Sequence, residues 1–297
     1  MFADGAVCAD LEAHGVTPES LERSVFEQVL RGGIWDGWVR LVQTDGSFPS
    51  GLVPYVERAL ELRACVPYEV DDNRVVPVRG ASWGTVLYEY QRAAVAAFLE
   101  AGRGVVDLPP RSGKTRIAVA VAAALGVPTL YIAPTIGIVE QTARVFQDLL
   151  PHKTTIGVHS RLSSSAKAQR RLNAADVVIA TPKTASKLPN AHSKLFLVID
   201  EFHHSAAKTW QAASQAVPAA YWRLGLTGTH YRADGRGMEM AGVLGRSVYS
   251  RTVADMVGLG RLVPARIAML RIRGQISAQG YDIYRDGIVE HAERNRL

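Results

Sequence analysis

The 297-residue chain is predicted to be an α/β protein. Its main part should be a doubly wound, mostly parallel sheet, preceded by a small α+β N-terminal domain. Three observations predict this. Six short apolar runs, rich in β-branched residues, recur between residues 104 and 226, and stretches of helical length separate most of them. Chemistry-bearing strings follow the ends of those runs, where ligands of such sheets bind. The first 80 residues differ from the rest in both pattern and charge.

The N-terminal part reads as follows. Residues 20–30 carry Leu21, Val25, Val29 and Leu30 at helical spacing. Residues 38–42 suit a short strand before the turn-like Asp45-Gly46-Ser47. Residues 52–62 predict a second helix, and the Pro-punctuated 66–78 an extended segment. The runs of the main part are 104–108, 129–133, 155–158, 176–180, 195–199 and 223–226. The domain boundaries expected are 1–80, 81–270 and a connector at 271–297.

Composition narrows the class. Hydrophobic residues make up 47% and charged residues 21%, which excludes a disordered or collagen-like chain. Two cysteines, Cys8 and Cys65, exclude a disulfide scaffold and an all-cysteine zinc site. The N-terminus lacks a basic stretch followed by an apolar one, so no secretory signal is expected. The longest apolar run, 117–127, falls short of the roughly 18 residues that span a bilayer. A soluble, cytoplasmic protein without a membrane partner is expected. Residues 1–80 hold 7 Arg, no Lys and 13 acids, so the net +6 of the whole chain conceals a basic excess of 12 over 81–297. That excess peaks in residues 153–194, with eight cations against Asp176 alone. Clustered cations of this kind suit a phosphate backbone, although a solvated helix face has the same composition.

The first run leads into Leu108-Pro109-Pro110-Arg111-Ser112-Gly113-Lys114-Thr115 and then a strong helix former. Against the phosphate-loop pattern G-x-x-x-x-G-K-[ST], it keeps Gly113, Lys114 and Thr115 and has Leu108 where the first glycine stands. A bend opening a helix aims backbone N–H groups at phosphate oxygens. Lys114 would supply the cation for the β- and γ-phosphates and Thr115 the hydroxyl for Mg²⁺, with Pro110, Arg111 and Ser112 completing the loop. Taken alone, the string also suits a surface turn capping a helix.

The fifth run ends in Asp200-Glu201-Phe202-His203-His204. Adjacent carboxylates at a strand end are costly unless a cation neutralises them. Asp200 would hold Mg²⁺, and Glu201 would orient or deprotonate an attacking water. Acids also follow strands merely to start a turn. Zinc at the paired histidines is disfavoured, since the H-E-x-x-H spacing is absent. The sixth run ends in Thr227-Gly228-Thr229-His230, placed to sense the carboxylates.

In order, these strings resemble the first motor domain of superfamily 2 helicases. Residues 110–115 look like motif I, and Ala133-Pro134-Thr135 with Ile138 to Gln141 like motif Ia. Thr181-Pro182 is similar to motif Ic, Asp200-Glu201-Phe202-His203 to a DEAH-type motif II, and residues 226–229 to motif III. Residues 87–92 resemble the glutamine-bearing string that reads adenine. Residues 231–235, 258–264 and 282–297 are similar to the repair and recombination branch that includes XPB and phage UvsW-like helicases. The likeness covers about residues 86–297, with a weaker one around 35–60 to accessory domains of phage helicases.

The resemblance implies a RecA-like P-loop NTPase domain that uses ATP and Mg²⁺. It implies that Gln91 contacts adenine, with Tyr88 or Arg92 beside the base. Thr135, Thr181 and Pro182 would meet the backbone of single-stranded or forked DNA, and His203, Thr227 and Thr229 would couple nucleotide state to motion. The implied function is an ATP-dependent DNA helicase or translocase, in its N-terminal portion. Two alternatives stand beside it: the motor portion of a restriction or defence complex, and a non-enzymatic nucleotide-gated DNA-binding module. The chain ends where a second RecA-like domain would begin, in the same protein or in a partner chain. Arginine fingers supply on the order of 10³–10⁵ in rate in GTPases, so weak hydrolysis is expected of this chain alone.

Overall fold

A computed structural model describes residues 7–8, 47–61, 86–158, 166–188, 191–201, 208–228 and 237–264. The chain divides into two compact units, Met1–Arg261 and Leu262–Leu297. The helix expected at 20–30, the strand at 38–42 and the extended 66–78 lie outside the described residues, as do Phe202, His203, His204, Thr229 and His230.

The first unit opens with a short antiparallel pair, β1 (Val7–Cys8) with β2 (Ser47–Phe48). A 3₁₀ turn at Ser50–Leu52 leads into α1 (Val53–Ala59), with proline in its first turn, where a missing N–H costs nothing. This is the second helix expected from the sequence. The main part runs α2 (Glu89–Ala101), β3 (Arg103–Asp107), α3 (Lys114–Leu125), β4 (Thr129–Ile132), α4 (Ile136–Leu149) and β5 (Thr155–Val158). It continues α5 (Ala166–Ala174), β6 (Val177–Ala180), α6 (Pro182–Ala185), β7 (Phe196–Asp200), α7 (Lys208–Gln215) and β8 (Trp222–Thr227). Last come α8 (Gly237–Leu244), β9 (Ser247–Ser250) and α9 (Val253–Gly258).

The strands β3 to β9 form a seven-stranded sheet in the order β5-β6-β4-β7-β8-β3-β9, and every neighbouring pair is parallel. The six apolar runs are six of these strands. The seventh, β9, was not expected from the sequence: Ser-Val-Tyr-Ser has no apolar run, and its residues are half-buried or exposed at the sheet edge.

Alternation along the strands splits the core into two layers. Val105, Leu130, Ile132, Val178, Leu197 and Ile199 join one cluster with Leu172, Trp210, Val217 and Leu244 of the segments from α5 to α8. The opposite face carries Phe196 and Trp222, whose rings lie 5.8 and 6.2 Å from that of Phe98 on α2. Tyr131 on that face meets Phe146 of α4 edge-on, 5.9 Å between centroids. Burying such side chains stabilises by about 1.5–3 kcal/mol each. Helix α3 lies within this layer, with Ile117 to Ala122 all buried, as suits a helix apolar on nearly every side.

Buried cations are tied to carbonyls. Arg223, 3% exposed, donates to the carbonyls of Ala220 and Val217 and to Ser214 Oγ, each at 3.0 Å. It thereby fastens the end of α7 to β8. Lys194 donates to the Ala175 carbonyl at 2.9 Å.

Strand order is what assembles the site. Strands β7 and β8 insert between β3 and β4, so segments distant in sequence finish side by side. Asp107 pairs with Thr227, and Asp200 with Leu226. The segments after β3, β8 and β7 therefore leave one stretch of the carboxyl edge, with those after β4 and β6 next along it.

Candidate nucleotide site

The phosphate loop starts as the β3 ladder ends. Leu108 N–H donates to the Thr227 carbonyl at 2.9 Å, and Ser112 N–H closes the bend on the Pro109 carbonyl at 3.3 Å. Arg111 (φ 65°) and Gly113 (φ 78°) turn left-handed, which reverses the chain into α3. At Gly113 this comes without a steric penalty. A side chain there would also strike Gln91, whose Nε2 would lie 2.5 Å from the added carbon. The N–H groups of Lys114 and Thr115 open α3 ahead of its first ladder bonds, which Arg116 and Ile117 make to the Gly113 carbonyl at 2.9 and 3.3 Å, and N–H groups at such a position suit an anion. Lys114 folds back and donates from Nζ to the Leu108 carbonyl at 3.0 Å.

Two residues of α2 brace this loop from behind. Tyr90 Oη and Gln91 Nε2 both donate to the Ser112 carbonyl, at 2.7 and 3.0 Å. Gln91 Oε1 accepts from Tyr88 N–H at 3.0 Å. Gln91, expected to contact a base, is only 2% exposed and is engaged at both ends of its amide. As placed, it fixes the loop to the helix start. Tyr88 is 48% exposed, with the Arg261 guanidinium 3.7 Å from its ring centre. Arg92 donates to the Leu87 carbonyl at 3.0 Å. The bracing by Tyr90 was missed from sequence, where residues 87–92 were read only for their likeness to the glutamine-bearing string.

The carboxylates end β7. Asp200 is 8% exposed, and its Oδ1 accepts from Glu201 N–H at 3.0 Å. Glu201 is left-handed (φ 50°) and half-buried. Burial raises the Asp200 carboxyl above its ordinary 3.8, and the Glu201 charge adds to this. The Tyr131 hydroxyl and the Lys114 ammonium pull it back down. The charge of Lys114 thus reaches Asp200. Gly228, just past Thr227, closes it from β8: a Cβ there would lie 3.2 Å from Lys114 Nζ and from Pro110 Cδ, and 3.3 Å from the Leu108 oxygen.

Further along the edge, Thr135 is exposed and caps α4, accepting from Ile138 N–H at 3.4 Å. Thr181 is half-buried before α6, its hydroxyl 3.0 Å from that of Thr184. The two segments adjoin, since Ala133 N–H donates to the Ala180 carbonyl at 2.9 Å. Pro182, also expected on a nucleic-acid surface, is buried at the first helical position, and its part is to fix the entry into α6. Lys183 and Lys187 are exposed beside it. Thr227 is 1% exposed.

These residues fit a magnesium nucleotide. Ser112 Oγ, in a residue 2% exposed, has no hydrogen-bond partner among the described residues, so a polar atom inside the loop is left for a ligand. The missing side chain at Gly228 leaves open a cradle next to the lysine. Among the described residues no group of three or more His, Cys, Asp or Glu gathers to hold a metal unaided. One hydroxyl and a carboxylate or two are the sparse donor set with which Mg²⁺ is held alongside substrate phosphates and water.

A lysine-tipped loop at a helix start, facing paired carboxylates across the carboxyl edge of a parallel sheet, defines a P-loop NTPase domain of RecA-like architecture. Residues 85–232 match the family described as the res subunit of type III restriction enzymes. The chain is 28% identical over 172 residues to XPB2 of Sulfurisphaera tokodaii, named a DNA 3'-5' translocase, covering 58% of this chain and 37% of that protein. It is 28% identical over 279 residues to the DNA 3'-5' helicase XPB of Mycobacterium tuberculosis, covering 88% of this chain and 48% of that protein. The crystal structure of the UvsW helicase from bacteriophage T4 shares the fold, with a TM-score of 0.64 at 19% identity, over 84% of this chain and 97% of that one. The chain is similar to superfamily 2 helicases of the XPB and UvsW kind. It spans 37% and 48% of the two curated relatives' lengths. Among the described residues, no helix is long and apolar enough to cross a membrane.

Proposed function

We propose that this chain is the N-terminal motor portion of an ATP-dependent DNA helicase or translocase. The observation that carries the reading is the strand order, which puts the loop of Lys114 and the carboxylate of Asp200 at neighbouring strand ends on the same sheet edge as Thr135 and Thr181. Lys114 exchanges its bond to the Leu108 carbonyl for the β- and γ-phosphates of ATP, and the loop amides with Ser112 hold the remaining oxygens. Thr115 and Asp200 would hold Mg²⁺, which would supply charge neutralisation at the phosphoryl oxygens. Glu201 orients the attacking water and takes its proton. Thr227, with Thr229 and His203, relays nucleotide state from the acidic pair to the neighbouring strand.

Thr135 and Thr181 bind the backbone of one strand, supported by Lys183 and Lys187, and contacts of this kind track DNA without reading its sequence. A second RecA-like domain, in the same protein or a partner chain, completes the site and brings hydrolysis to full rate. The domain limits we propose remain 1–80, 81–270 and 271–297. The protein works in the cytoplasm on single-stranded or forked DNA. The relatives' names favour this over a restriction motor or a purely binding module.

Binding of a fluorescent ATP analogue tests the reading, for wild type and Lys114→Ala, with and without single-stranded DNA. The variant should lose roughly 10- to 100-fold in nucleotide affinity, the worth of a charge-assisted contact, while its DNA affinity holds. Equal nucleotide affinity in both proteins would remove the phosphate-loop assignment.

A further inference from the structure

Tyr131 lies where the sequence shows only a strand. It pairs with Val198, so its side chain points to the same face as Val198 and, two residues on, Asp200. That face is covered by α3, which begins beside Thr115, and by α4, where Phe146 packs on the Tyr131 ring and Thr142 sits one turn earlier. Tyr131 is wholly buried, yet its hydroxyl meets no hydrogen-bond geometry among the described residues. Asp200, Thr115 and Thr142 nonetheless act on it, and after burial the Asp200 charge does most to hold its pKa well above the ordinary phenol value. A buried hydroxyl without a bond is a standing cost in a core that would accept phenylalanine.

We infer that Tyr131 is a positioning residue of the nucleotide site, its hydroxyl held beneath Asp200 and Thr115 to donate a hydrogen bond to the Asp200 carboxylate when the magnesium nucleotide is bound. Register puts its side chain on the face of Asp200, and the proposed metal-binding residues that act on its oxygen, Asp200 and Thr115, belong to different elements, β7 and the start of α3. A donor there would hold the Asp200 carboxylate in one orientation for the metal. It also offsets part of the repulsion from Glu201 without placing a competing cation in the site. The inference rests on the proposed nucleotide site and adds to it a residue outside every motif.

Tyr131→Phe removes one atom and leaves the packing on Phe146 in place. Melting temperature without ligand should be unchanged or higher than wild type, because the deleted hydroxyl makes no bond of good geometry in that state. Affinity for an ATP analogue with Mg²⁺ should fall roughly tenfold, the worth of one hydrogen bond to a charged group. In EDTA the two proteins should bind alike. A lower melting temperature without ligand would make the hydroxyl an ordinary structural group and overturn the inference. So would an affinity that matches wild type in Mg²⁺, or one that falls equally in EDTA. If wild type binds no nucleotide at all, the proposed site fails and takes this inference with it. If wild type binds, loses binding on Lys114→Ala and keeps it in Tyr131→Phe, only the role of Tyr131 is lost.

Discussion

Asp200→Asn should stabilise the ligand-free protein while disabling its site. Asp200 closes a strand whose five residues are all buried, and it is itself 8% exposed. The backbone bond from Glu201 at 3.0 Å survives the change, since the amide oxygen still accepts. What disappears is a charge held out of water next to Glu201, the two causes that raise its carboxyl above 3.8. Relief of this kind at a functional position is commonly worth about 0.5–2 kcal/mol. For a domain of this size, that is roughly 1–8 °C in Tm.

The pH dependence has a definite sign. A carboxyl raised in the fold contributes stability that is full below its unfolded value, 3.8, and is lost as pH rises through the higher folded value. The advantage of asparagine should therefore be greatest near neutrality and shrink on acidification, as wild-type Asp200 takes up its own proton. Thermal melts of both proteins from neutral pH downward, without nucleotide, measure this. Saturating Mg²⁺ and ATP should reverse the order, since ligand at 100 times Kd stabilises by about 2.7 kcal/mol and asparagine forfeits much of that. A variant that melts below wild type at neutral pH, or a gap that does not change with pH, would refute the reasoning.

Gly228→Ala places a carbon 3.2 Å from both Lys114 Nζ and Pro110 Cδ, and 3.3 Å from the Leu108 oxygen. The lysine tip can swing away only by giving up its carbonyl bond, so overpacking should cost about 1–3 kcal/mol and lower Tm by roughly 2–12 °C. A wild-type Tm would show that the cradle yields freely. Lys183→Ala with Lys187→Ala should flatten the salt dependence of single-stranded DNA binding by about 0.7 in log–log slope for each lysine that meets phosphate. An unchanged slope in a salt titration would move the DNA path elsewhere on the surface.

Much of this site can be read from the sequence, because its strands are buried on both faces and appear as unbroken apolar runs. The phosphate loop and acidic pair sit at the ends of two such runs. Strand order cannot be read that way: nothing local says that β7 and β8 come between β3 and β4, and only that insertion brings Lys114 to Asp200. Strand β9 escaped notice because an edge strand has one flank without a partner and needs no strong pattern. Gln91 was visible as a candidate, but the choice between a ligand and the Ser112 carbonyl depends on how α2 meets the loop. Tyr131 was hidden by its own ring, which satisfies an apolar pattern and says nothing of the oxygen at its tip.

Arg111 and Glu201 both adopt backbone angles natural to glycine, at φ 65° and φ 50°. Each forgoes about 1–2 kcal/mol of conformational ease by carrying a side chain there. Glycine at either place would relax the chain and remove a charged side chain from the phosphate loop or the acidic pair. Engineering for heat resistance by easing those two bends would thus, under the proposed function, trade nucleotide binding for a sturdier fold.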